Sequence, residues 1–442
     1  MTSTLRLTAS SITLRNGACP IPSVHADRQA PQTSVETTSQ INVATQNVAA
    51  TANTMVDHTN TRLHTHWQIW RWRNAAANCH QKRQSGPVNP DIAPTALDEL
   101  ILTVVVDNAT DTLSTVDAGI PQLPEVLSLL ARIPPTRRHD GHDAIAVFDH
   151  FCVACHGLSV LVRGRRGNES HTMLFDVGPY GDVWIDNAAR LDIDLASIEV
   201  IVLSHWHWDH SGGLPTVIAA IAAARQRVGT VDPVVVDLHP DRPDQRGFVT
   251  PSGTVMMLAE EPTPREMTDA GGRVDHHDEP HRVGNGFFTV SGLIDRVTSY
   301  ETGTETHVSF RGDVGRADPL ILDERFVAAH VRGRGVSLLS ACSHAGIVNV
   351  CLAAQHLFPG VPIDVVLGGY HLAGAAMEPR IPATVDDLDR LISPRVVAPA
   401  HCTGWRAAHA LAERFSPGRF APSVVGSSYT LTAPPKAPDS SA

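Results

Sequence analysis

The run Ser204-His205-Trp206-His207-Trp208-Asp209-His210-Ser211-Gly212-Gly213-Leu214 decides how this chain is read. Its first residues close IEVIVLSH (198–205), an apolar strand too continuous to be half-exposed and suited to a sheet covered on both faces. It precedes LPTVIAAIAAARQRV (214–228), whose alanines and apolar spacing predict a helix. In extended backbone, residues two apart project to one side, so the imidazoles of His205 and His207 can reach one ion. Asp209 and His210 fall where the chain turns toward the two glycines, which swings them toward a second ion beside the first. Three imidazoles and one carboxylate suit zinc, iron or manganese. A histidine-rich surface loop is the competing account. Placement between a buried strand and a helix opened by glycines counts against it.

Working outward, the same alternation recurs. LDELILTVVVDN (97–108), GLSVLVRG (157–164) and TMLFDVG (172–178) read as strands before the run. PVVVDLHP (233–240), GVSLLSACSH (335–344), IDVVLGGYH (363–371) and RVVAPAH (395–401) read as strands after it, each ending at or near a histidine. Helical stretches, VDDLDRLI (385–392) among them, intervene. Strands alternating with helices predict an α/β domain whose sheets are covered by helices, over 97–432. Residues 241–285, rich in Pro, Asp and His, read as an irregular insertion in that domain.

The ends of the chain differ in texture. Residues 1–96 are rich in Thr, Ser, Ala, Asn and Gln with no sustained apolar period, so they are expected to form a disordered extension. Within it, WQIWRWRN (67–74) gathers three of the seven tryptophans. The tail APPKAPDSSA (433–442) reads as disorder too. The chain has 442 residues and a formal charge of -11 with both signs interspersed, which gives nucleic acid no basic stripe. No apolar run reaches the roughly 18–20 residues of a membrane span, and the N-terminus shows no secretory apolar core. Seven cysteines suit reduced thiols in a cytoplasmic protein better than a disulfide scaffold.

SHWHWDHSGGL (204–214) resembles the metal-binding motif of the metallo-β-lactamase fold superfamily. HGLSVLV (156–162), LFDVG (174–178), SGLIDR (291–296), ACSHAGIVN (341–349), GGYHL (368–372) and AHCTG (400–404) follow the order of one branch. That branch is named for dihydropterin–ribofuranosyl-aminobenzene phosphate synthase, and the resemblance covers about 98–430. It implies an αββα sandwich with metals at one edge of its two sheets. His205 and His207 would hold one metal, with Asp209 and His210 on the other. His344 and His401 match later metal-binding histidines, and Asp176 matches an acidic residue that braces the metal loop by hydrogen bonds. Most relatives present an aspartate that bridges both metals. This sequence offers none in the expected strands, and His371 or Cys342 could take that place. The implied cofactor is one or two zinc ions, with iron or manganese compatible. Arg296 is a candidate contact for a phosphorylated substrate, and Asn349 and Thr403 are further candidates for substrate contact.

Other constellations have plainer explanations. Cys152-Val153-Ala154-Cys155-His156 spells the c-type haem attachment pattern, but His156 falls where a core strand begins, and coincidence is preferred. DHHDEPH (275–281) could bind metal, yet between Gly and Pro it reads as a solvated loop. Asp323-Glu324 reads as the start of a helix rather than an acid/base pair. No phosphate-binding Gly-rich loop and no G-x-S-x-G elbow occurs.

The favoured expectation is a hydrolase in which metal-bound hydroxide, generated near neutral pH, attacks an ester, lactone or phosphoester. Asp209 and His210 would be central to catalysis. The alternatives are a pterin-linked transferase, as the branch name suggests, and an iron-dependent redox protein with the same ligands. A non-catalytic binding module is the blandest reading. The expected partner is a small molecule, phosphorylated or pterin-like, and the sequence says nothing of oligomeric state.

Overall fold

A computed structural model describes residues 92–123 and 125–435. The tryptophan cluster at 67–74, nearly all of the N-terminal extension and most of the tail lie outside the described residues. The bounds of both ends move slightly. Residues 92–96, expected in the extension, already pack on the domain: Thr289 donates to the Ile92 carbonyl at 2.6 Å and Thr95 N–H to Gly286 at 3.0 Å. At the other end, Ala433 N–H reaches the Asp98 carbonyl at 2.8 Å.

Two large sheets face each other. In the first, strands lie in the spatial order Gly272–His276, Val234–Leu238, Ile198–Val202, Glu169–Phe175, Ser159–Arg166, Glu99–Val106, Ser428–Thr432 and Gln122–Leu123. The first four are mutually parallel and the rest antiparallel. In the second, the order is His281–Val283, Phe288–Val290, Val327–Val331, Gly335–Ser340, Ile363–Gly369 and Val396–Ala400. Its last three strands are parallel.

Because side chains alternate along a strand, each buried strand feeds two cores. Val200 and Val202 point between the sheets, together with Met173, Phe175, Leu339, Val365, Leu367 and Ala398. Their neighbours Ile201 and Leu203 turn outward onto the helices Gly181–Arg190 and Leu214–Arg227. On the far side, Leu338, Val366 and Val397 pack under the helices Ile347–Leu357, Ile381–Asp387 and Trp405–Phe415. The result is the expected αββα sandwich. Near-continuous apolar runs follow from burial on both faces.

Residues 241–285 depart from the expected irregularity. They contain the strands Gln245–Val249 and Val255–Glu260, the helix Pro264–Asp269, and edge strands of both large sheets. Gln245–Val249 and Val255–Glu260 join His307–Arg311 and Val314–Ala317 in a separate four-stranded sheet. The helix is set by Thr263, whose side chain and that of Glu266 complete a reciprocal capping box. The Pro and Asp residues thus punctuate short elements.

Candidate metal centre

The centre assembles at the carboxyl ends of parallel strands, where open α/β sheets present their loops. Asp176 follows Glu169–Phe175, and His205 and His207 follow Ile198–Val202. Cys342 and His344 follow Gly335–Ser340, His371 follows Ile363–Gly369, and His401 follows Val396–Ala400. Asp176, Ser343, His371 and His401 all take left-handed backbone, with φ of 55°, 60°, 47° and 46°. Non-glycine residues adopt this region at a cost, and it is tolerated where the surroundings over-determine it.

Hydrogen bonds fix which ring nitrogen faces the centre. The Ser204 hydroxyl donates to Asp176 Oδ2 at 2.7 Å, so it accepts from His205 Nδ1 at 2.9 Å. That leaves His205 Nε2 as a lone pair, 2.9 Å from His207 Nδ1. His210 Nδ1 donates to Asp176 Oδ2 at 2.8 Å, turning Nε2 toward Cys342 Sγ at 3.2 Å. Asn108 Oδ1 accepts from Gly157 N–H at 3.1 Å and from His401 Nδ1 at 2.9 Å. His401 Nε2 therefore aims a lone pair at Asp209 Oδ2, 3.2 Å away. Two acceptors facing each other in a buried place require a positive charge between them. The donors fit a divalent ion, since imidazoles anchored through one nitrogen to a carboxylate, amide or hydroxyl are the usual supports of metal ligands.

The donor atoms form overlapping groups, each within 4.8 Å: His205, His207 and His344; Asp209, His210, Cys342 and His401; and Cys342, His344 and His371. Rings of His205 and His210 lie 4.5 Å apart, so the first two groups adjoin. Among the described residues the donor linking the second and third groups is Cys342, a thiol where an aspartate was sought. His371 sits beside His344, with ring centroids 4.3 Å apart, and its Nδ1 has no hydrogen-bond partner among the described residues. Burial holds His205, His207 and His344 well below the ordinary histidine range, keeping them neutral as ligation requires. Burial opposes charge on His210 too, but Asp209 and Asp176 outweigh it and raise the imidazole to about 9. Positive charge is favoured at this point, from a proton or an ion.

Several supports were not apparent in the sequence. Asp323 and Glu324 do not start a helix; both are buried. Asp323 accepts Trp206 N–H at 2.7 Å and pairs with Arg246 at 2.6 Å, while Arg246 Nη1 also donates to the Trp206 carbonyl at 2.7 Å. The backbone between His205 and His207 is clamped on both sides. Glu324 accepts the N–H groups of His344 and Ala345 at 2.6 and 2.7 Å. The four-stranded sheet also brings His307 against His344 and His207, with ring centroids 5.3 and 5.5 Å apart. Only the presence of an acid pair before a strand hinted at Asp323 and Glu324. Nothing local marked Arg246 or His307.

The residues expected to touch substrate are otherwise engaged. Asn349 is buried; its Oδ1 accepts Val297 and Thr298 N–H, and its Nδ2 donates to the Ala345 carbonyl. Thr403 donates to the Ala400 carbonyl and accepts Tyr370 N–H. Arg296 donates to the carbonyls of Leu320 and His344. All three brace loops around the centre, because a buried polar side chain is held by backbone partners. His156 moves the other way. Asn108 Nδ2 donates to its Nδ1 at 3.0 Å, its Nε2 lies 3.4 Å from Asp209 Oδ2, and its side chain is 68% exposed. It lies at the mouth of the candidate centre.

The metallo-β-lactamase superfamily profile matches residues 153–367. Over 260 residues the chain is 26% identical to 7,8-dihydropterin-6-methyl-4-(beta-D-ribofuranosyl)-aminobenzene-5'-phosphate synthase of Methanocaldococcus jannaschii, covering 59% of this chain and 85% of that one. A lactamase-like protein of Penicillium aethiopicum is 30% identical over 131 residues, 29% of this chain and 36% of its own. Among solved structures, Tm1679, a metal-dependent hydrolase of the beta-lactamase superfamily, superposes with a TM-score of 0.51 at 20% identity. That superposition covers 76% of this chain and 99% of the other.

Proposed function

The chain is a metallo-β-lactamase-fold protein, and we propose that it is a metal-dependent hydrolase of an ester, lactone or phosphoester. The carrying observation is the meeting of His401 Nε2 with Asp209 Oδ2 at 3.2 Å, two acceptors turned toward each other in a buried place. His205, His207 and His344 would hold one ion, and Asp209, His210, His401 and Cys342 a second beside it. Zinc suits this nitrogen-, sulfur- and oxygen-containing set. A bound divalent ion supplies Lewis acidity and lowers the pKa of water to about 7.

The chain's own residues do the rest. Asp176 and Ser204 orient His205 and His210 before any substrate arrives, and Asn108 does the same for His401. Arg246 and Asp323 prevent the backbone at Trp206 from relaxing. His156, with Nδ1 occupied by the Asn108 amide, carries its proton on Nε2 at the mouth, where it can be passed to a departing alkoxide or phosphate. His307 stands beside His207 and His344 with an Nδ1 that has no hydrogen-bond partner among the described residues.

A second reading rests on the Methanocaldococcus jannaschii synthase: the same centre would bond the 6-methyl carbon of a dihydropterin to a ribofuranosyl-aminobenzene phosphate, with departure of a leaving group from that carbon and loss of a proton from the aminobenzene. The similarity to that enzyme over 85% of its length favours it. Elemental analysis of the purified chain, then turnover tests on phosphoester, thioester and lactone substrates beside the dihydropterin pair, separates the two. A folded protein that binds no transition metal would overturn both readings. Hydrolysis of none of the generic substrates, with product from the pterin pair, would replace the first by the second.

A further inference from the structure

We propose that Asp237, His277 and His281 form a separate divalent-cation site that fastens the two large sheets together. None of the three belongs to the centre described above. Asp237 lies one residue before the end of the strand Val234–Leu238, and its Oδ2 lies 2.7 Å from His277 Nδ1 and 2.7 Å from His281 Nε2. The two imidazoles are stacked, with centroids 4.0 Å apart. Three potential ligand atoms thus converge on one point. DHHDEPH is accordingly not the solvated loop its composition suggested.

The hydrogen-bond pattern requires something positive at that point. His281 Nδ1 lies 2.9 Å from the Glu279 carbonyl, which can only accept, so Nδ1 carries the proton. On a neutral ring Nε2 is then a lone pair facing a carboxylate oxygen, an acceptor against an acceptor. Arg325 cannot resolve this. Its two Nη groups are directed to Asp237 Oδ1 at 2.6 Å and to the carbonyls of Leu203, Asp237 and His277 at 2.7, 3.1 and 3.3 Å, and its Nε has no hydrogen-bond partner among the described residues. A histidine anchored through Nδ1 to a backbone carbonyl, with Nε2 toward a carboxylate, is the arrangement that supports metal ligation. Two imidazoles and one carboxylate with an open fourth position suit zinc, and the exposure of His277 leaves room for water there.

The location gives the ion a purpose. Gly272–His276 is the edge of the eight-stranded sheet, and His281–Val283 is the edge of the six-stranded sheet. Residues 277–280 are the passage between them, packed so closely that a Cβ on Gly292 would stand 2.8 Å from Pro280 Cδ. An ion held by His277, His281 and Asp237 closes that passage onto the parallel strand beside it.

The test is zinc content and zinc position in the full-length protein. After equilibration with zinc and gel filtration, His277→Ala/His281→Ala should carry one equivalent fewer per chain than the parent, with the remainder unchanged. Crystals of the parent grown with zinc should show an anomalous peak within bonding distance of Asp237 Oδ2, His277 Nδ1 and His281 Nε2. This second measurement decides if the double variant does not fold. Equal zinc in a folded double variant, or a peak at the His205–His401 centre and none at Asp237, would overturn the proposal. So would a nitrogen NMR signal of an imidazolium at His281 in zinc-loaded protein. A peak at Asp237 alone would sustain this site and count against the hydrolytic centre.

Discussion

The two halves of the metal centre are built in opposite ways. The half carried by His205, His207, Asp209 and His210 comes from six consecutive residues, yet it is held by residues far away in sequence: Asp176, Arg246, Glu261 and Asp323. The half carried by Cys342, His344, His371 and His401 comes from three separate strand ends. There the bracing is nearer to the backbone, through left-handed φ at Ser343, His371 and His401 and through Glu324 on the N–H groups of His344 and Ala345. The first half places its ligands by a short motif and its rigidity by long-range contacts. The second places its ligands by topology. A ligand set is thus no more compact than the forces that orient it.

The largest effect should come from His210→Ala. It removes a ligand whose two nitrogens face Asp176 and Cys342, and no neighbouring side chain can replace it. Activity should fall to background and metal content should drop, as read by elemental analysis; full metal retention would break the assignment of this half. Next is Arg246→Met, which leaves Asp323 buried without its partner. A loss of about 3–5 kcal/mol is expected from removing one member of a buried pair. Chemical denaturation measures it, and a change within error would mean that the clamp on Trp206 is not energetically important.

Asp176→Asn and Asn108→Ala sharpen the comparison, because each loosens one half. Each should weaken metal affinity by about 10–100-fold. The Asp176 variant should weaken both ions, because Asp176 orients His210 directly and His205 through Ser204, and the Asn108 variant only the ion shared by His210 and His401. Competition with a chelator gives the affinities. If the Asn108 variant releases both ions equally, the halves are one unit.

The smallest effect concerns Glu261, which accepts the Ser211 hydroxyl just after His210. Burial, with Asp209 and Asp323 nearby, raises its carboxyl to about 7, although Ser211 and Arg246 oppose the shift. A raised acid binds its proton more tightly in the folded state than in the unfolded one. Its contribution to stability is therefore complete below the ordinary value of 4.5 and is lost as pH rises through about 7. Glu261→Gln keeps the neutral shape at every pH. Its melting temperature should decline less than the parent's between pH 5 and 8, by a few degrees. Parallel profiles would show that Glu261 does not titrate in this window.

What the sequence revealed follows the same division. IEVIVL, GVSLLS and IDVVLGG identified themselves as strands because burial on both faces leaves no polar position to interrupt them. The αββα sandwich was legible from that pattern and from the motif words around it. The short run 204–214 revealed its chemistry because its donors are adjacent in sequence. The roles of Arg246, His307 and Asp323 were not legible, since each depends on a four-stranded sheet whose strands are only four to six residues long. For Asn349 and Thr403 the sequence suggested substrate contact where the structure shows backbone partners, because a polar residue in a motif looks the same whether it meets a ligand or a backbone amide. Asp237 gave no sign of its histidine partners, which lie 40 and 44 residues away.

The alternation of Val200 and Val202 inward with Ile201 and Leu203 outward has a consequence for how such a protein can change over time. Both faces of the central strands are committed to packing, so variation falls to the residues beyond their ends that face neither core. Donors such as Cys342 and His156 stand among those residues and belong to none of the three apolar cores. The architecture separates what must be kept from what can be tried. New reactions are then accessible to this chain through small steps at one edge, each taken from an already stable starting point.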